Sequence, residues 1–502
     1  MERSAGVFLH PTSLPSPFGI GDLGESAYRW VDLLSAHHQQ WWQMCPLGPT
    51  GYGDSPYQCL STFAGNTLLI SPQKLCDAGL LTAAELAAFP RLPVDKVDFG
   101  AVIIAKEKLF RVAYARFVDT REFYEFCQHE KYWLDDYALF RVIKEANNGR
   151  AWCDWDSEFR LRYPAVLDEM RCSQSREIRY HQFLQFMFFR QWSALKKYVH
   201  EKGVRIIGDI PIYVAYDSCD AWSAPDIFEF DENGKPLRVA GVPPDYFSET
   251  GQLWGNPIFR WDTMRAHGYI WWVNRLRKTL ELVDLVRLDH FRGFESFWAV
   301  PADSKTAISG EWVPGPGIDF FNALKDHLGA LPLIAEDLGE ITHGVEELRR
   351  QAGMPGMKIL QFAFGDDPDN PYLPYNINAD SVVYTGTHDN NTTLGWFLEQ
   401  TPHQRDRLCR FTGTTEQTFV DGFVRMALMA ASQLCIIPLQ DILGLDGRCR
   451  MNTPGKAEAN WSWRVTAEDL NPDAFKKLAD YTDLYGRKKV VPIPVIPRVP
   501  IV

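Results

Sequence analysis

The chain of 502 residues has the length of about three average domains, or of one large barrel with insertions. With 46% hydrophobic and 23% charged residues, 36 Gly and 32 Pro, it is neither disordered nor of low complexity. A net charge of −12 and the lack of any Lys/Arg-rich block argue against a nucleic-acid backbone or an anionic membrane surface as partner.

The start, MERSAGVFLHPTSL, carries no apolar stretch followed by a small-residue cleavage site, and no window of about 18 uninterrupted apolar residues occurs anywhere. The ten cysteines are scattered, with no C-x-x-C pair and no Cys/His cluster at zinc spacing, which suits free thiols in a reducing, cytoplasmic compartment. Apolar runs of strand length then recur along the chain, at 6–10, 40–46, 204–214, 284–291, 333–338, 357–364, 381–389 and 434–441. Helical patterns fall between them at 25–38, 178–201, 269–283, 320–328, 345–351 and 416–433.

Strands apolar enough to be buried on both faces and alternating with helices predict an α/β fold with a parallel sheet, and eight of them can close into a (β/α)8 TIM barrel. The rival, an open doubly wound sheet, lacks its usual phosphate loops: G-x-x-x-x-G-K-[ST] is absent, and the one G-x-G-x-x-G, at 19–24, does not follow the first strand directly but is separated from the run 6–10 by residues 11–18. A barrel uses about 250 residues. The expected plan is therefore one catalytic unit over 1–489 with inserted, largely helical subdomains at about 67–179, 215–268 and 292–331. Residues 490–502 form a proline-rich tail in which Pro492, Pro494, Pro497 and Pro500 forbid a helix.

Several apolar runs end in a polar or ionisable residue: His10, Asp209, Asp289, Glu336, His388-Asp389 and Gln440-Asp441. In a closed parallel barrel all these ends meet on one face, where this fold builds active sites. Any one of them could be a helix N-cap or turn former. Four acids at four strand ends, with Arg287 on the same side of its strand as Asp289, point instead to a site.

Two carboxyls of unlike protonation are what glycosidic cleavage needs, one to attack the anomeric carbon and one to protonate the leaving oxygen. Arg287 would keep Asp289 ionised, and like-charge repulsion from a nearby carboxylate such as Asp389 would raise Glu336. Carboxylates could instead hold Mg²⁺, but no strand end offers a Lys base, and H-x-H and H-E-x-x-H are absent, so no metal is expected. The loops at 51–57 and 241–257 mix Gly/Pro turns with rings such as Tyr246, Phe247 and Trp254, which suit stacking on pyranose faces.

The runs HPTSLPSPFGIGDLG, PLGPTGYGDSPYQ, GDIPIYV, GVPPDYFSETGQLWGNP, VRLDHFRGFE, IAEDLG, TGTHDNNTTLGW and RMNTPG resemble, in order, those of the amylomaltases, the bacterial 4-α-glucanotransferases or disproportionating enzymes of glycoside hydrolase family 77. The resemblance implies a barrel with inserted subdomains and no C-terminal β-domain, and transfer of α-1,4-glucan segments between maltooligosaccharides derived from amylose, starch or glycogen, with retention and without cofactor or metal. By motif it implies Asp289 as nucleophile, Glu336 as general acid/base and Asp389 as transition-state stabiliser. Arg287, His290 and His388 would lie in the donor site, Asp209 in the first family strand motif, and Tyr246 and Phe247 in a mobile loop that closes as a lid against water. Ser55, Tyr57, Asp245, Glu249, Gln252, Trp254, Asp366 and Asn452 would contact sugar. A plain α-glucan hydrolase using the same carboxylates is the alternative activity; a glucan-binding module without catalysis is disfavoured because every acid the chemistry needs is present.

Overall fold

The computed structural model describes residues 2–244, 248–365, 367–456 and 458–488; the expected tail at 490–502 lies outside them. All eight apolar runs supply barrel strands: β1 Ser4–Phe8, β2 Trp41–Gln43, β3 Arg205–Pro211, β4 Leu285–Asp289, β5 Leu333–Ala335, β6 Gly356–Ile359, β7 Ser381–Tyr384 and β8 Leu434–Pro438. They pair in parallel in sequence order, and β8 closes onto β1 through Ser4↔Leu434 to Phe8↔Pro438. β1, β2, β5, β7 and β8 are buried along their whole length, as strands covered on both faces must be. At Gly6 a Cβ would come within 2.3 Å of the Trp41 carbonyl oxygen, so the close approach of β1 and β2 requires glycine there.

The predicted helices lie where periodicity puts them, as Glu25–Ala36, Ser175–Glu201, Ile270–Leu282, Gly317–Leu328, His343–Ala352 and Phe419–Met429. Local signals set their ends: Thr342 accepts from the Val345 amide at the start of His343–Ala352, and Gly353 takes a left-handed φ of 73° at its close. The long helix Ser175–Glu201 buries Phe183, Phe186, Phe188 and Phe189. Each fully buried Phe contributes about 1.5–3 kcal/mol, so this face alone anchors the helix.

Between β2 and β3 the chain is helical, with Phe99–Arg116, Arg121–His129 and Lys131–Ala146 among its helices. The segment is tied to the barrel by a buried ion pair, Lys278 Nζ to Glu130 Oε1 at 2.6 Å. The second and third insertions are not chiefly helical. Arg238–Val242 and Gln252–Pro257 from one pair with Ser296–Pro301 and Glu311–Pro314 from the other in a single antiparallel sheet. Short, partly exposed strands such as Glu311–Pro314 have too little alternation to betray this pairing in sequence. Among the described residues no strand follows β8, and no helix is long and apolar enough to cross a membrane.

Candidate active site

The C-terminal ends of β3, β4 and β5 and the loop after β7 bring the predicted acids together. The register pairs Asp209 with Arg287, Pro211 with Asp289 and Leu288 with Ala335, so Asp289 and Glu336 each stand one residue beyond a matched pair on adjacent strands. Arg287 lies at the centre. Its Nη1 is 2.8 Å from Asp209 Oδ2 and 2.9 Å from Asp289 Oδ1. Burial works against this cation, yet the two carboxylates hold its pKa well above the usual arginine value.

Asp209 is buried and also accepts from the Tyr57 hydroxyl at 2.9 Å. Burial pushes its carboxyl up to about 6, against the pull of Arg287 and with repulsion from Asp289. Tyr57 stacks on His388 with ring centroids 5.0 Å apart. Burial favours the neutral form of Asp389, but His388, 3.3 Å away through Nε2, and Asn452 Nδ2, donating at 2.6 Å, overcome it and hold Asp389 well below the usual carboxylate range.

Glu336 has the opposite fate. Its Oε2 accepts from the His290 amide at 2.7 Å and its Oε1 from the Leu338 amide at 3.1 Å. Burial dominates and carries its pKa up to about 8; Arg287 and the His290 amide oppose the shift, and Asp289 and Asp337 add to it. The raised value matches expectation, but its source does not. The repelling neighbour is Asp289 on the adjoining strand rather than Asp389, and repulsion is secondary to burial.

His290 adopts a left-handed backbone, φ 54° and ψ 50°, which turns the chain off β4. Its ring meets Trp254 edge to face with centroids 4.7 Å apart, and burial lowers its pKa to about 4. Trp254 Nε1 donates to Gln252 Oε1 at 3.2 Å. Gln252 and Glu249 are exposed, and Ser55 uses its hydroxyl to accept from the Tyr57 amide at 3.2 Å. Asp245, Tyr246, Phe247 and Asp366 lie outside the described residues.

The strand end of β8 is structural. Asp441 accepts from Thr385 Oγ1 at 2.5 Å and from the Thr393 amide and hydroxyl, each at 2.7 Å, while Gln440 Nε2 donates to the Cys449 carbonyl at 3.2 Å. His10 is buried near His388, and burial lowers its pKa to about 3. Sequence reasoning did not single out Arg450 and Trp461. Arg450 Nη2 donates to the Asp389 carbonyl, and the Trp461 ring lies 5.6 Å from His388 and 5.7 Å from Tyr57. Among the described residues no group of three or more His, Cys, Asp or Glu side chains could hold a metal ion.

A closed parallel barrel whose strand ends oppose an arginine-paired aspartate and a buried, proton-holding glutamate is a glycoside-active (β/α)8 barrel. The family model of glycoside hydrolase family 77, 4-alpha-glucanotransferase, matches residues 9–470. A 4-alpha-glucanotransferase of Synechocystis sp. is 48% identical over 97% of this chain and 98% of its own length. That of Thermus thermophilus is 45% identical over 94% and 97%. The solved amylomaltase of Streptococcus agalactiae in complex with acarbose superposes with a TM-score of 0.94 at 37% identity, covering 97% of this chain and all of that one. The chain belongs to the 4-alpha-glucanotransferase family, glycoside hydrolase family 77.

Proposed function

We propose that this 4-alpha-glucanotransferase moves α-1,4-glucan segments between maltooligosaccharides by double displacement on Asp289. The carrying observation is the unlike pair at the ends of β4 and β5: Asp289 held by Arg287 at 2.9 Å, and Glu336 buried with its pKa near 8. At pH 7 a carboxyl of that pKa is protonated in about nine molecules of ten.

In the first step an Asp289 oxygen attacks the anomeric carbon, the bond from that carbon to the glycosidic oxygen breaks, and Glu336 gives its proton to the departing oxygen. Ionised Asp389 faces the positive charge that develops on the sugar. Once Asp289 is an ester its repulsion on Glu336 is gone while Arg287 remains, so the Glu336 pKa falls and the carboxylate becomes a base. It then takes the proton of an incoming sugar 4-hydroxyl, whose oxygen attacks the anomeric carbon and releases the Asp289 carboxylate. An acceptor hydroxyl from the far end of the donor chain closes a cycloamylose by the same step.

Tyr57, His388 and Asn452 line the donor side of this reading, and Trp254 with His290 forms a ring pair suited to a pyranose face. The substrate is a neutral glucan, the reaction uses no cofactor or metal, and the dispersed thiols favour a cytoplasmic setting. Incubation with maltotriose tests the activity. Glucose and longer chains at constant total reducing ends are expected, whereas a rise in reducing ends would mean hydrolysis.

A further inference from the structure

The loop between β8 and the C-terminal helix Pro472–Leu484 reaches back over the barrel mouth and touches the loop after β7 at several points. Asn452 donates through its side chain to Asp389 Oδ1 at 2.6 Å and through its amide to the His388 carbonyl at 3.1 Å. Arg450, half-buried two residues earlier, uses Nη2 on the Asp389 carbonyl and Nε on the Asn452 carbonyl at 2.7 Å. One planar guanidinium thus holds the main chains of both residues of the Asn452–Asp389 contact, one from each loop. A rigid planar fork fixes both acceptors at set places, whereas a lysine ammonium, with three donors on a flexible stem, holds them less firmly.

The loop is closed behind this contact. The Trp461 amide donates to the Met451 carbonyl at 2.7 Å, and its ring packs against His388 and Tyr57. It is anchored at a distance too: the Val97 amide donates to Ser462 at 2.7 Å, the Arg464 amide to Asp95 at 2.9 Å and the Ser13 hydroxyl to Trp463 at 2.8 Å. The segment is therefore pinned on the helical insertion and on the loop after β1, and Arg450 joins that support to Asp389.

We propose that Arg450 is a positioning residue for the reaction, fixing the carboxylate of Asp389 through Asn452. The inference rests on the role given above to Asp389. Because Asp389 acts on charge that exists only in the transition state, the loss should fall on kcat rather than KM.

The test is a double-mutant cycle in maltotriose disproportionation with Arg450→Ala, Asn452→Ala and the double variant, alongside Arg450→Lys, Asp389→Ala and thermal unfolding of each protein. Arg450→Ala should lower kcat by about 10–100-fold with KM within about threefold, Asn452→Ala should lower kcat at least as much and, as a donor-side residue, raise KM as well, and the kcat of the double variant should fall no further than that of the less active single variant. Arg450→Lys should resemble Arg450→Ala, and it replaces Ala in the cycle if Ala does not fold. A double variant whose losses multiply overturns the proposal, as does an Arg450 variant that keeps kcat within about twofold while Asp389→Ala is inactive. An active Asp389→Ala would instead overturn the role of Asp389.

Discussion

The backbone amide of His290, the residue after Asp289, donates to Oε2 of Glu336 at 2.7 Å. The turn that carries the chain away from one carboxyl therefore holds the other. His290 itself takes a left-handed conformation, which turns the chain that follows off β4. Asp289 and Glu336 are thus set by main chain and strand register, with less dependence on side-chain rotamers than a purely side-chain contact would bring.

The pH dependence follows from Glu336. The carboxyl is raised from its ordinary 4.5 to about 8, chiefly by burial, so kcat/KM should fall tenfold per pH unit above about 8 as the acid loses its proton. Stability moves with the same proton. Below pH 4.5 both folded and unfolded chains hold it; as pH rises toward about 8 only the folded chain does, and the associated stability is lost across that window. Glu336→Gln removes this loss, so the Tm of the variant relative to wild type should rise between pH 5 and pH 9. A pH-independent difference would mean that Glu336 titrates normally.

Arg287 neutralises two carboxylates at once. Arg287→Ala leaves Asp209 and Asp289 facing each other without a cation, and breaking such a buried pair should cost about 3–5 kcal/mol in urea unfolding. Transfer should drop by at least about 10³-fold. Arg287→Lys should retain more stability than activity, since an ammonium on a flexible stem is not held where the single Nη1 serves both oxygens. Wild-type unfolding in the Ala variant would show that the pair contributes little.

Trp254 supports His290 edge to face, and such ring contacts are worth about 0.5–1.5 kcal/mol. Trp254→Ala should therefore raise KM for maltotriose about three- to tenfold, with Trp254→Phe recovering most of it. The measurement is initial rate against maltotriose concentration; an unchanged KM in the Ala variant would remove the ring from the substrate path.

The eight strands were legible because they are largely buried and so read as short, mostly apolar runs. Asp289, Glu336 and Asp389 were legible because they follow those runs. The repelling partner of Glu336 was not, since the order of strands around the barrel, which makes β4 and not β7 its neighbour, is absent from a linear pattern. Asp441 shows the reverse case: it follows a strand as the catalytic candidates do, yet its three contacts with Thr385 and Thr393 make it a structural brace. Arg450 and Trp461 sit in a loop without periodicity, where only tertiary contacts reveal a role.

The helical insertion depends on a single buried charge pair for one of its links to the barrel. Lys278→Ala would leave Glu130 with only the Trp133 ring N–H and His129 as partners, and unfolding should lose up to about 3–5 kcal/mol with kcat of the folded enzyme little changed. Replacing both residues by apolar ones of similar volume should cost much less. If the single variant unfolds like wild type, the pair does not link the two parts.

The most direct test of the double displacement is to trap the sugar on the enzyme. Glu336→Gln, given an α-maltosyl fluoride whose fluoride leaves without acid assistance, should accumulate one maltosyl ester, and peptide mass spectrometry should find it on Asp289. An adduct on any other residue, or an inverted β-linked product formed without an adduct, would contradict Asp289 as the nucleophile.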